Sequence, residues 1–280
     1  IIGVGNMGGA MAARLGQLGW EPAVYDAVRS RAESLMLFGA LAPEDIAQAA
    51  IKSVATIICV VDAAQTRDVL FGPQGIAPGL PPGHIVVLCP TISPADVEAI
   101  ASELGQRGVE TVEAPMSGGP VRARDGSMSL MVACTDAVFA RCQPLLDALS
   151  SKVFRISQRV GDGARTKLVN NLLAGINLVG AAEVMALADR MGLDLNRTLD
   201  VVEQSSGQSW IGSDRMRRAI AGDLAPRAHM TLLAKDTGLA IGAAQSVGFT
   251  GPLGEAASQV FAQAVRAGLA ELDDGALLGF

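Results

Sequence analysis

The sequence predicts an α/β fold in its first part, a mostly parallel sheet with helices on its faces, followed by an all-helical second part. Two observations predict it. Short β-rich runs alternate with stretches of helical period, and the strand signals stop at about Ala164. Composition agrees: half of the 280 residues are hydrophobic, 32 are glycine and only 4% are aromatic, which suits an α/β chain with many tight strand-to-helix turns.

In chain order, IIGVG, EPAVYD, ATIICVV, HIVVLCP, VETVEAP, SMSLMVAC and KVFRI read as strands, rich in branched residues and bounded by turn formers. Between them, Ala10 to Leu18 and Ser93 to Gln106 space their apolar residues as helices do. Parallel neighbours need such crossovers. Ala164 to Gly192 reads as one helix of about 28 residues, roughly 42 Å at the usual rise, ended by Gly192. Helical segments then run to the end, punctuated by Gly207, Gly222, Pro226, Gly248 and Pro252. The boundary is expected at Gly161 to Gly163, giving domains of residues 1–162 and 163–280.

Charge and composition exclude several roles. A net charge of -6 with no run of Lys or Arg argues against a nucleic-acid surface and for a small-molecule partner. Four cysteines without a CxxC pair, beside only two histidines, leave too few ligands for a zinc site, so no metal is expected. Reduced, buried thiols suit a cytoplasmic protein. The most apolar long segment, Leu168 to Ala188, is interrupted by Asn170, Asn171, Asn177 and Glu183 and does not read as a membrane span. The chain opens in an apolar run without a methionine, so a targeting signal upstream would not be seen.

GVGNMG, Gly3 to Gly8, is a GxGxxG that follows an apolar strand and opens a helix. Gly3 permits the tight turn, Gly5 lets a pyrophosphate approach the backbone, and Gly8 lets helix and strand pack closely, with Asn6 and Met7 completing the loop. The second strand ends in Asp26, 23 residues after Gly3, close to the offset of roughly 20 at which a carboxylate binds the adenine ribose diol. A Rossmann-type dinucleotide-binding domain is therefore expected. Asp26 would accept from a free 2′-hydroxyl and repel a 2′-phosphate, which favours NAD; Arg29 or Arg31 leaves NADP open, although both also read as solvated helix positions.

GDGARTKLVNNLLAG raises a separate question, because an apolar helix carries Lys167, Asn170 and Asn171 at spacings of three and four. Either these groups satisfy one another or they face a pocket. Here the residues resemble a known family. GVGNMGGAMAARL, PTISP, APMSGGPVRARDGSMSLMV, GDGARTKLVNN and LLAKDTGLA occur in the order and at the spacing of the β-hydroxyacid dehydrogenases, which include 3-hydroxyisobutyrate, L-threonate and, more distantly, 6-phosphogluconate dehydrogenases.

The resemblance implies that Lys167 is the general acid/base, taking the hydroxyl proton as hydride leaves the same carbon for the nicotinamide. A lysine does this when burial and nearby positive charge favour its neutral form. It implies that Asn171 hydrogen-bonds the substrate, that Ser117, Gly118 and Gly119 grip a carboxylate, that Thr91 meets the nicotinamide ribose, and that Lys235, oriented by Asp236, reaches the cofactor. Ala174 and Gly175 extend the lysine's face with almost no side chain, as room for a ligand would require.

Departures from the family pattern concern the pocket. Leu88, Cys89 and Pro90 replace the usual acidic-small-serine lead into TISP, and Ala228 stands where a phenylalanine is common. Trp210 and His229 either line that pocket or serve packing. The stretch GDLAPRAHMTLLAKDTGLA is closer to the L-threonate branch, with His229 placed to donate to an extra hydroxyl. The expected activity is NAD-dependent hydride transfer between the hydroxyl-bearing carbon of a small hydroxyacid, of L-threonate, 3-hydroxyisobutyrate or glycerate type, and the nicotinamide, by a homodimer or homotetramer. An imine reductase of the same fold, or a nucleotide-binding protein without turnover, is the alternative; the presence of Lys167 with Asn171 counts against both.

Overall fold

The run HIVVL has no charged interruption after its histidine, as a strand buried on both faces requires. In the computed structural model, which describes residues 1–280, that run is central to a sheet. Ala55–Ile58 (β1) and Ile85–Leu88 (β2) pair in parallel, and β2 pairs in parallel with Glu110–Glu113 (β3). Met116–Ser117 (β4) is a two-residue strand antiparallel to Ser129–Ala133 (β5), which is also antiparallel to β3 and parallel to Lys152–Ser157 (β6).

The first two expected strands are reduced to bridges. Ile2 pairs in parallel with both Tyr25 and Ile58, and Ala23 pairs with Leu41. Gly3 at φ +87° ends the extended run early, and Pro22 has no N–H to give a ladder.

Alternation along each strand sends side chains to opposite faces. Ile85 and Val87 face one apolar layer with Asn6–Gln17 (α1) and Arg29–Ser34 (α2). Val86 and Leu88 face another with Ile46–Ile51 (α3), Ala63–Phe71 (α4) and Pro94–Gly105 (α5). Gly119–Asp125 (α6) and Asp136–Leu149 (α7) belong to the first layer.

The chain divides into two units, Ile1–Lys167 and Leu168–Phe280. Asp162–Arg190 (α8) begins in the first, runs for 29 residues from two positions before the expected Ala164, and ends before Gly192, whose φ of +72° favours glycine. Leu195–Glu203 (α9), Trp210–Ile220 (α10), Met230–Ser246 (α11) and Pro252–Ala264 (α12) then pack around Leu178, Met185, Met216, Met230 and Phe261. The fold is thus an α/β unit followed by a helical one. By length and composition alone, α8 is apolar enough to cross a membrane, with a mean hydropathy of 1.5 in its most apolar window. Lys167 and Asn171 are nonetheless buried on it.

Candidate active site

The glycines of the first turn divide their tasks sterically. A Cβ on Gly3 would lie 2.8 Å from the carbonyl oxygen of Cys59, and one on Gly8 only 2.0 Å from that of Gly3, so both are needed for close packing. Gly5 differs. Nothing lies within 4 Å of its Cβ position, and as N-cap of α1 it offers no side-chain acceptor to the first-turn N–H groups. No acidic residue occupies that turn either. An open, uncapped helix N-terminus behind a glycine fits an anionic pyrophosphate.

Asp26 is anchored beside this loop. Its Oδ2 accepts from Val4 N at 2.8 Å and its Oδ1 from Val28 N at 2.8 Å, and its side chain is 8% exposed. Oδ2 keeps a lone pair after that bond, so a fixed carboxylate can still accept from a ribose. Arg31 Nη1 comes within 3.5 Å of Oδ1, whereas Arg29 is turned to Glu33 and the carbonyl of Pro43. Only one of the two arginines accompanies the carboxylate.

Thr91 sits half-buried between β2 and α5, just before Ser93, which caps α5 by accepting from Asp96 N at 3.1 Å. In the divergent lead before it, Cys89 remains tied to the sheet, its N–H donating to Ile58 O at 3.0 Å. Ser117 closes β4, and Gly118 and Gly119 follow at φ +128° and +74°. A Cβ on Gly118 would press on Arg122, but Gly119 faces open space, where its backbone is accessible to a ligand.

On α8, Lys167 and Asn171 are buried, 7% and 8% exposed, whereas Asn170 is exposed. The asparagines satisfy one another in part: Asn170 Nδ2 donates to Asn171 Oδ1 at 3.0 Å, and Asn171 Nδ2 donates to Asp236 Oδ2 at 2.6 Å. Lys235 Nζ lies 2.8 Å from the other oxygen of Asp236, an ionic contact without a directed hydrogen bond to that oxygen. Asn171, Lys235 and Asp236 therefore form one cluster on α8 and α11.

Two expectations are corrected. Gly175 does not leave room for a ligand: its Cβ would meet Thr237 Cγ2 at 2.7 Å and Phe261 Cε2 at 3.2 Å, so the glycine serves the close packing of α8. His229 Nδ1 lies 3.2 Å from the carbonyl oxygen of Glu271, and since that oxygen can only accept, Nδ1 carries the hydrogen. In the neutral ring Nε2 is then an acceptor, not the donor expected for a substrate hydroxyl. Trp210, at the start of α10, is 45% exposed.

One polar residue went unread in the sequence. Glu113, last in β3 and 1% exposed, accepts backbone N–H groups of Gly161, Gly163 and Ala164 at the start of α8. In the run ETVE, which already carries Glu110 and Thr111, nothing local sets it apart.

Comparison with known proteins follows this division. The NAD binding domain of 6-phosphogluconate dehydrogenase matches residues 1–157, and the NAD-binding domain of NADP-dependent 3-hydroxyisobutyrate dehydrogenase matches residues 161–280. L-threonate dehydrogenase of Escherichia coli is 37% identical over 279 residues, covering 99% of this chain and 92% of that protein. NAD-dependent L-serine dehydrogenase of Pseudomonas aeruginosa is 31% identical, covering 97% and 93%. A crystal structure of 3-hydroxyisobutyrate dehydrogenase from Salmonella typhimurium is 37% identical with a TM-score of 0.93, covering 99% of this chain and 97% of that one.

Proposed function

The chain belongs to the β-hydroxyacid dehydrogenase family, and from that premise we propose that it oxidises a small polyhydroxylated acid of the L-threonate type with NAD, using Lys167 as general acid/base. The observation that supports this best is a buried lysine one helical turn before an asparagine whose amide is oriented by a buried carboxylate. When bound, the nicotinamide supplies a two-electron acceptor for hydride. Lys167 Nζ receives the hydroxyl proton as the carbinol carbon becomes a carbonyl. Asn171 keeps one amide hydrogen for a substrate oxygen, and the Ser117 hydroxyl with the open backbone at Gly119 holds the carboxylate.

Asp26 supports NAD over NADP, because a carboxylate fixed by two N–H groups cannot turn away from a 2′-phosphate. Arg31 at 3.5 Å reduces the repulsion and leaves measurable NADP activity. The protein acts as a homodimer or homotetramer: Val169, Leu173, Val184 and Leu187 expose 50–72% of their surface along α8, an apolar stripe that a second copy would cover. The free cysteines, three of them buried, suit the cytoplasm.

Lys167→Ala tests the assignment. Turnover should fall by about 100- to 10,000-fold, the range for general acid/base catalysis, while cofactor fluorescence still reports binding. Near-normal turnover by a merely less stable protein would refute it.

A further inference from the structure

Glu113 sits where two parts of the site originate. Gly161 N donates to its Oε2 at 2.7 Å, Gly163 N to the same oxygen at 3.0 Å, and Ala164 N to Oε1 at 2.5 Å. These donors surround the first turn of α8, where a helix has N–H groups with no internal partner, and leaving such a group buried and unpaired is costly. Asp162 lies among them but is directed elsewhere, to Ser157, Arg159 and Arg165. The glycines admit the carboxylate. A Cβ on Gly163 would lie 2.8 Å from Glu113 Cδ and 2.8 Å from Met131 O, and Gly161 has φ +100°.

From this one residue the main chain runs through Ala114 and Pro115 into Ser117, Gly118 and Gly119, while the side chain grips α8 three residues before Lys167. Burial holds its carboxyl above the usual range, against the lowering effect of the three N–H groups.

We propose that Glu113 is a positioning residue for proton transfer, fixing the start of α8 so that Lys167 is held in register with the Ser117–Gly119 loop. This rests on Lys167 being the general acid/base. Reacting groups displaced by about 1 Å lose roughly 100-fold in rate, so a cap that sets the lysine's place acts on turnover more than on binding.

Glu113→Gln in the full chain tests it, with the fastest substrate of a hydroxyacid panel. Glutamine keeps the shape but sets an NH2 donor against a backbone donor. The expected result is a kcat lowered by about 10- to 100-fold, a displaced pH profile of kcat, and substrate KM and cofactor affinity within about threefold of the parent. In a Lys167→Ala background, Glu113→Gln should lower kcat no further. A melting temperature that falls while kcat per folded molecule stays normal overturns the proposal, as does a loss confined to KM. If Lys167→Ala itself turns over normally, both the lysine's role and this inference fall; if Lys167→Ala is inactive and Glu113→Gln normal, only the inference falls. Should Glu113→Gln not fold, Gly163→Ala presses on the same carboxylate without removing its charge. The same kcat-specific loss is expected there, and normal kcat would overturn the proposal.

Discussion

Asn171 and Asp236 hold each other in one orientation: the amide nitrogen donates to Asp236 Oδ2 at 2.6 Å, and both residues are buried. An ionised carboxylate only accepts, so it forces Nδ2 toward itself and leaves Oδ1 of Asn171 for Asn170. Asp236→Asn removes that directing influence and the charge facing Lys235. A hydrogen bond to a charged group contributes about 1.5–3 kcal/mol, so kcat/KM should fall at least roughly tenfold. In a cycle with Asn171→Ala, the coupling should reach about 0.5–3 kcal/mol. Additive effects would show that Asp236 does not act through the amide.

Cofactor choice follows from Asp26. NAD should give the higher kcat/KM, and Asp26→Asn should narrow the gap because an amide does not repel a 2′-phosphate. Arg31→Ala should widen it, since the guanidinium 3.5 Å from Oδ1 is the nearby positive charge. Equal kcat/KM for the two cofactors in the parent protein contradicts the assignment.

The elements that place these residues were legible because their signals are local. GxGxxG with Asp26 marks a turn and the end of an extended run, and the span of α8 follows from a long run without proline that Gly192 ends. What depends on distant partners was not legible. Gly175 reads as open space until Thr237 and Phe261 are brought against it, and Glu113 reads as an ordinary strand residue until residue 161 folds back. His229 had its donor direction reversed by Glu271, 42 residues away.

Asp274 gives a pH test of stability. Burial pushes its carboxyl up to about 6, although Arg215 Nε donates to it at 2.5 Å. For its neighbour Asp273, burial is outweighed by Arg218 and backbone N–H groups, and its carboxyl is held below the usual range. A carboxyl raised in the folded state binds its proton more tightly there than in the unfolded chain, so ionised Asp274 costs stability, and the cost is relieved as pH falls from about 6 toward about 4. The limit is about 3 kcal/mol. Urea unfolding of the parent and of Asp274→Asn should therefore diverge in the parent's favour by about 2 kcal/mol between pH 7 and pH 4.5. A constant difference would show that Asp274 does not titrate there.

The proposed substrate preference is tested at Ala228 and His229. Ala228 is half-buried, and under the proposed threonate-type reading it would leave the substrate pocket wider than the aromatic residue common at that position of the family. His229 follows, its Nδ1 engaged by Glu271 O, which leaves Nε2 to accept from a hydroxyl in the neutral ring. A site that pairs a substrate hydroxyl rejects an analogue lacking it, because its own polar groups are then left unsatisfied. L-threonate should accordingly be oxidised with a kcat/KM at least roughly tenfold above that of 3-hydroxyisobutyrate, the consequence of about 1.4 kcal/mol from one such bond. His229→Ala should shrink that ratio chiefly by lowering the L-threonate value. His229→Asn, which still offers an acceptor oxygen, should keep part of it. If the methyl-bearing substrate is clearly preferred by the parent, the threonate-type reading is wrong, while the roles of Lys167 and Asn171 stand on their own tests. If the ratio survives His229→Ala, discrimination comes from the volume at Ala228, and Ala228→Phe should then reverse the preference.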